Sequence, residues 1–431
     1  MPNGFQKEFK EADQRVNLLF NTVEGRSLKI FPIPNDDNHK WISNFEFKED
    51  PTVIKDSLYN NFVKSGFLAY LYTLNAAKKS GDFSEASKLL KAFKDTQHRY
   101  GGSVMLSDQK VKTEVLYNKY DIFKKLFSWY MYAGTIMFVL LVFQIFKSHS
   151  KGLSTAIKVF KFIVIGLFVL HTAGLIVRWY LSGHAPWSDA YESMIYVAWA
   201  TMLFGLLFGR KSDLTMASTA FVTAMILMIA HWNWMDPAIA NLQPVLNSYW
   251  LMIHVAVIVA SYGPFTLGMI LGVVSLFLMI FTNKENKERM LLNIKELTVI
   301  NEMALTVGLV MLTIGNFLGG MWANESWGGR YWGGWDPKET WALISIMIYA
   351  FVIHMRLVPG LRGRWFFNLC SIIAFASILM TYFGVNFYLA GLHSYASGDQ
   401  IVSVKFILIA CAIVAVLGAF AYRGHVKYYK K

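Results

Sequence analysis

The chain is 431 residues long, 55% hydrophobic and only 16% charged, with a formal net charge of +13. Its apolar residues come in unbroken runs of about 20, the length that crosses a bilayer, which excludes a soluble globular core and predicts an all-α polytopic membrane protein. The positive balance does not point to a nucleic-acid partner, because loop Lys and Arg also set membrane topology.

In chain order, residues 1–126 read as a polar N-terminal domain of mixed α/β character, with 84–94 as a short amphipathic helix. Nine candidate spans follow, at 127–146, 157–181, 190–209, 214–231, 248–281, 300–321, 338–356, 366–389 and 402–422. The fifth exceeds the ~20 residues needed to cross and is expected to tilt or to project as a helix towards 284–287. Basic clusters at Lys147 and Lys151, Arg210 and Lys211, 284–295, 356–364 and the tail 423–431 all fall on one side, which the positive-inside rule makes cytoplasmic. The N-terminal domain, GHAPWSDAYES, HWNWMDPAIANLQPVLN, the tryptophan-rich loop 322–341 and GLHSYASGDQ are then outside, with the C-terminus inside. Met1 is followed by no basic n-region and no apolar h-region, so export of residues 1–126 is expected to need an upstream part of the protein or, failing that, an unusual insertion route. Cys370 and Cys411 fall in apolar spans and read as packed small hydrophobes, not a redox pair or a metal site.

The histidines sort by this topology. His39, His98, His149 and His425 fall in polar segments and read as solvated, while His184 and His231 fit an interfacial anchor as well as a ligand. His254, one turn after Trp250 at the external end of the fifth span, and His393, just past the external end of the eighth, share a similar depth. Ionisable groups so placed are costly and usually functional, and two imidazoles on separate helices can hold one iron from opposite faces. His171 and His354 lie deeper, and at 1.5 Å per residue they differ in depth by roughly 9 Å, too much for one iron.

The stretch WGGRYWGGWDPKETWA at 327–342 has one structural element: Asp336 fits the cap of the seventh span, with Pro337 at its first position and Glu339 three after the cap. Asp189 and Glu192 repeat that layout before the third span. Capping does not account for Trp327, Trp332 and Trp335 or for the glycine pairs at 328–329 and 333–334. Glycine admits close backbone approach and Trp offers a broad π surface, which suits a large planar molecule such as haem.

WGGWDPKETWALI, followed by an in-span histidine and by GLHSY one span later, resembles the signature of haem-handling membrane proteins, most nearly the CcsA/ResC type of System II cytochrome c assembly. RWYLSGHAPWSDAYES at 178–193 and SYWLMIHVAVIVASYGPF at 248–265 support the resemblance, which covers the eight-span domain 157–422. The span 127–146 and the domain before it look like the tail of a ResB-like half. The resemblance implies haem b as substrate and bound ligand, with His254 and His393 on the iron beside Trp327, Trp332, Trp335, Trp341 and Asp336. It implies an inner site at His354 whose mate lies in the ResB-like half, with His171 as the fallback. Arg330, Lys338 and Arg178 are candidate propionate partners, and His184 a further candidate at the haem. The implied activity is haem transport and covalent attachment to apocytochrome c CxxCH thiols in the cytoplasmic membrane, with a ResB-like protein, extracytoplasmic thiol reductants and membrane lipid as partners. A haem chaperone serving a separate synthase, and a non-haem transporter or scaffold, are the rival readings. No side chain stands out as an acid or base, so catalysis by positioning is expected.

Overall fold

The computed structural model describes residues 4–146, 150–231, 235–239, 248–327, 336–389 and 404–429, and the chain divides into two compact units between residues 113 and 114. The first unit carries α1 (Gly4–Val23), α2 (Asn44–Glu49), α3 (Ser57–Ser80) and α4 (Ser84–Tyr100). Its strand content among the described residues is one antiparallel pair, β1 (Phe31–Pro32) with β2 (Trp41–Ile42). The expected mixed domain is therefore a helical unit with a two-residue ribbon. Phe31, Ile42, Phe47, Tyr59, Val63 and Phe93 form its buried core. Asp56 starts α3 by accepting from the backbone N–H groups of Leu58 and Tyr59, and it also accepts from the Tyr100 hydroxyl. These donors hold its carboxyl below the usual carboxylate range.

The second unit begins within α5 (Asp108–Tyr120) and continues through α6 (Ile122–Phe146), α7 (Lys151–Ser182), α8 (Ala190–Phe208), α9 (Asp213–Ala230) and α10 (Tyr249–Ile280). It ends with α11 (Lys287–Trp327), α12 (Pro337–His354), α13 (Arg364–Leu379), α14 (Val385–Tyr388) and α15 (Val404–Tyr428). Among the described residues nine helical stretches are long and apolar enough to cross a membrane, so this is a multi-pass membrane protein. The most apolar windows of α9 and α10 are 72% buried against 17% for α15, which puts α10 inside the bundle and α15 at its rim. Helix α10 packs against α8, α11 and α13. Gly263 admits α8: a Cβ there would lie 2.8 Å from Ala200 C and Thr201 N.

Two boundaries differ from expectation. Helix α10 stops at Ile280, and it is α11 that projects, starting at Lys287. The break is a turn in which the Asn283 N–H donates to Asn286 Oδ1 and the Asn286 N–H donates back to Asn283 Oδ1. Beyond it, nothing before Val299 interrupts a helix, so the polar residues simply extend it. The eighth span ends through a π-helical turn at Met380–Gly384, which leads into α14.

Candidate functional site

His254 is buried on α10, 8% exposed, with Nδ1 2.7 Å from the Gly315 carbonyl oxygen of α11. A carbonyl can only accept, so Nδ1 carries the proton and Nε2 is the nitrogen with a lone pair in the neutral ring. The bond requires the two helices to come close. Gly315 allows it, since a Cβ there would meet Ile258 Cγ1 at 2.5 Å. Beside His254, the Trp187 indole donates to the Met252 carbonyl at 3.1 Å. Leu251, Trp322 and Ala323 form a buried cluster against Trp250 and Val255, so the end of α11 lies on the His254 helix.

The start of α12 adds a polar shelf at the same end of the bundle. Asp336 caps the helix by accepting from the Lys338 N–H at 3.0 Å, with Pro337 in the first turn. Asp336 and Glu339 are each 7% exposed. Lys338 Nζ donates to Asn386 Oδ1 at 3.3 Å, and the Trp341 carbonyl accepts from Ser345 and Thr381. The π turn aims Tyr382 at α8: its hydroxyl lies 2.6 Å from Ser193 Oγ and donates to the Ala190 carbonyl. Sequence reasoning missed Gly315, Trp187, Tyr382 and Asn386. Only Trp187 had a visible signal, a Trp in a polar external loop.

His393, Arg330, Trp332 and Trp335 lie outside the described residues. Trp327 ends α11, and its side chain also lies outside them.

Two expected haem contacts are otherwise engaged. Arg178 has no exposed surface; it donates to Glu192 Oε1 at 2.8 Å, the Tyr117 hydroxyl at 3.3 Å, and the carbonyls of Pro237 and Ala238 at 2.9 and 3.3 Å. Its guanidinium is committed to protein acceptors. Glu192, equally buried, accepts from the Ser188 N–H at 2.9 Å, and His184 Nδ1 lies 3.8 Å from its other edge. Asp189 caps α8 through the Glu192 N–H at 2.6 Å. Burial, then the Glu192 charge, push its carboxyl up to about 6, the Arg178 charge opposing them.

His171 is also fully buried, with Nε2 3.1 Å from the Ile195 carbonyl and the ring packed by Phe123 and Tyr130. It packs between α6, α7 and α8, and its Nδ1 is buried without a hydrogen-bond partner among the described residues. His354, by contrast, is exposed at the end of α12, on the outward stripe with Met347 and Phe351. Its Nδ1 lies 2.7 Å from the Ala350 carbonyl. Among the described residues no three His, Cys, Asp or Glu side chains gather as a metal-ion cage.

A many-helix membrane bundle with an oriented, buried histidine near Trp187, Trp250 and Trp322 defines a class that comparison with known proteins specifies further. Residues 187–393 match the family model described as Cytochrome C assembly protein. The chain is 33% identical over 293 residues to a cytochrome c biogenesis protein CcsA of Prochlorococcus marinus, covering 61% of this chain and 92% of that protein. Against CcsA of Chlamydomonas reinhardtii the identity is 36% over 229 residues, 51% of this chain and 64% of that protein. The chain belongs to the CcsA family of cytochrome c biogenesis proteins. It is also 41% identical over 408 residues to protein NrfI of Wolinella succinogenes, an alignment that takes in 92% of this chain but spans only 43% of that relative.

Proposed function

We propose that the chain receives haem within the membrane, holds it at the His254 end of the bundle, and presents it there to an apocytochrome c for covalent attachment. The observation that carries this reading is His254 itself. It is a buried imidazole in a membrane helix whose Nδ1 is fixed by a backbone carbonyl, the arrangement by which proteins orient a histidine for a metal at its other nitrogen. The donor set suits haem: the macrocycle supplies four equatorial nitrogens, so the protein need give only axial ligands and a flat apolar surface.

On this reading His254 and His393 hold the iron of haem b. Trp327, Trp332, Trp335 and Trp341 line its face, and Lys338 and Arg330 balance its propionates. Asp336 builds the α12 cap that starts the segment. The CxxCH thiols of the apocytochrome each add across one vinyl group: a sulfur–carbon bond forms at one vinyl carbon and the thiol proton goes to the other. No electrons are gained or lost overall, so the chain's residues act by position and by excluding water. The apocytochrome histidine then takes over one axial place. His354 serves an inner site, and because it faces outward from α12 its mate comes from a ResB-like membrane protein, fused or separate. Extracytoplasmic thiol reductants keep the CxxCH thiols reduced, and the bundle sits in the cytoplasmic membrane with the His254 end outward.

The test is a CxxCH reporter expressed in a strain without its own assembly machinery, with this chain alone or with a ResB-like half. Haem that resists acid–acetone extraction should appear on the reporter only when both are present. Haem retained by the chain with no covalent product under either condition would favour the chaperone reading.

A further inference from the structure

At the end of the bundle opposite His254, the last turns of α6, the α8–α9 turn and the first turns of α11 enclose an open cavity of about 290 Å³. Its floor is apolar: Leu141 and Leu214 are 7% and 5% exposed, and Leu292 at the rim is 66% exposed. Below it, Val299 and Met303, on the same stripe of α11 as Leu292, continue an exposed apolar track along the bundle. The rim is charged. Asp213 is already neutralised by Lys161 at 2.8 Å. Lys211, Arg289 and Glu296 also line the cavity, and none of the three has an ion-pair partner among the described residues. Arg289 and Glu296 lie on one face of α11 two turns apart, about 10 Å along the axis, with Asn293 between them.

A charged rim over an apolar floor at the membrane boundary fits a lipid headgroup better than a soluble metabolite, because the track below has room for acyl chains. The signs of the charges narrow the choice. Two unpaired cations and one unpaired carboxylate match a headgroup that carries both a phosphate and an ammonium group. An anionic headgroup would satisfy Lys211 and Arg289 but bring no donor to Glu296, which stands two turns from Arg289 without an ion-pair partner among the described residues. We propose that this cavity binds an ethanolamine phospholipid: Lys211 and Arg289 take the phosphate, Glu296 takes the ammonium group, and Leu141, Leu214 and Leu292 cover the glycerol and the first acyl carbons. Such a lipid bridges α6, α9 and α11 at an end where those helices otherwise meet through a solvent-open gap.

Delipidated protein in detergent, offered equal amounts of phosphatidylethanolamine and phosphatidylglycerol with matched chains, tests this by native mass spectrometry. The wild type should retain the ethanolamine lipid in preference. Glu296→Gln should abolish that preference while leaving phosphatidylglycerol bound. Lys211→Gln combined with Arg289→Gln should weaken both lipids by at least about tenfold, the loss that even one charge-assisted hydrogen bond would bring. The wild type alone supplies a second comparison: phosphatidylcholine, whose quaternary ammonium has no N–H to donate, should bind less well than phosphatidylethanolamine. Equal binding of all lipids, a preference for phosphatidylglycerol, or an ethanolamine preference that survives Glu296→Gln would overturn the proposal.

Discussion

Gly315 and His254 work as a pair: one lets α10 and α11 approach, and the other uses the carbonyl that the approach delivers. Gly315→Ala would set a methyl 2.5 Å from Ile258 Cγ1, an overpacking that costs about 1–3 kcal/mol, and would push the carbonyl away from the ring. The variant should melt earlier in detergent and show a weaker haem band per folded protein. Unchanged melting together with an unchanged band would mean that the close approach does not serve the site. Asp189 carries a pH dependence. Its carboxyl titrates at about 6 in the folded chain against 3.8 for an unperturbed aspartate, so between those values the folded state binds the proton more tightly. The stability it contributes is fully present below about pH 4 and is lost as the pH rises through about 6. Asp189→Asn keeps the α8 cap and should flatten that part of the stability curve. A curve of unchanged slope would assign the titration to another group.

At the scale of elements, the ends of α5, α7 and α8 are joined to residues 235–239 by one buried ion pair. Removing only one member, as in Arg178→Met, leaves Glu192 charged and uncompensated, which should cost about 3–5 kcal/mol. Adding Glu192→Gln should recover a good part of that loss, because no charge is then stranded. Thermal unfolding of the two single variants and the double variant measures the coupling, and simple additivity would contradict a coupled pair. This pair also marks where the sequence stopped being informative. The nine spans were legible because bilayer thickness imposes a run length that composition shows directly. The caps at Asp189 and Asp336 were legible because capping is local in sequence. Arg178 was not: a charge near a helix end reads as solvated, and its acceptors come from α5, α8 and the segment before α10. The surroundings of His171 were hidden for the same reason, since only tertiary packing by Phe123 and Tyr130 and the Ile195 carbonyl shows that it is enclosed. The start of α11 was misplaced because the stop before it is two asparagines bonding to each other's backbone, not a Pro or Gly.

At the scale of the whole molecule, membership of the CcsA family and the position of His254 support one account: a membrane bundle that places haem where an apocytochrome can reach it. The chain spans 92% of a CcsA relative but 43% of NrfI, so the complete activity is best tested at the haem itself. The most direct measurement is the visible absorption spectrum of purified wild type and His254→Gly, recorded during an imidazole titration. Wild type should show a Soret band of bound haem. In His254→Gly that band should shift or weaken, and imidazole should restore it, because a small ligand can refill the axial place the side chain left. A wild type without haem, or a His254→Gly spectrum identical to wild type and indifferent to imidazole, would contradict the account.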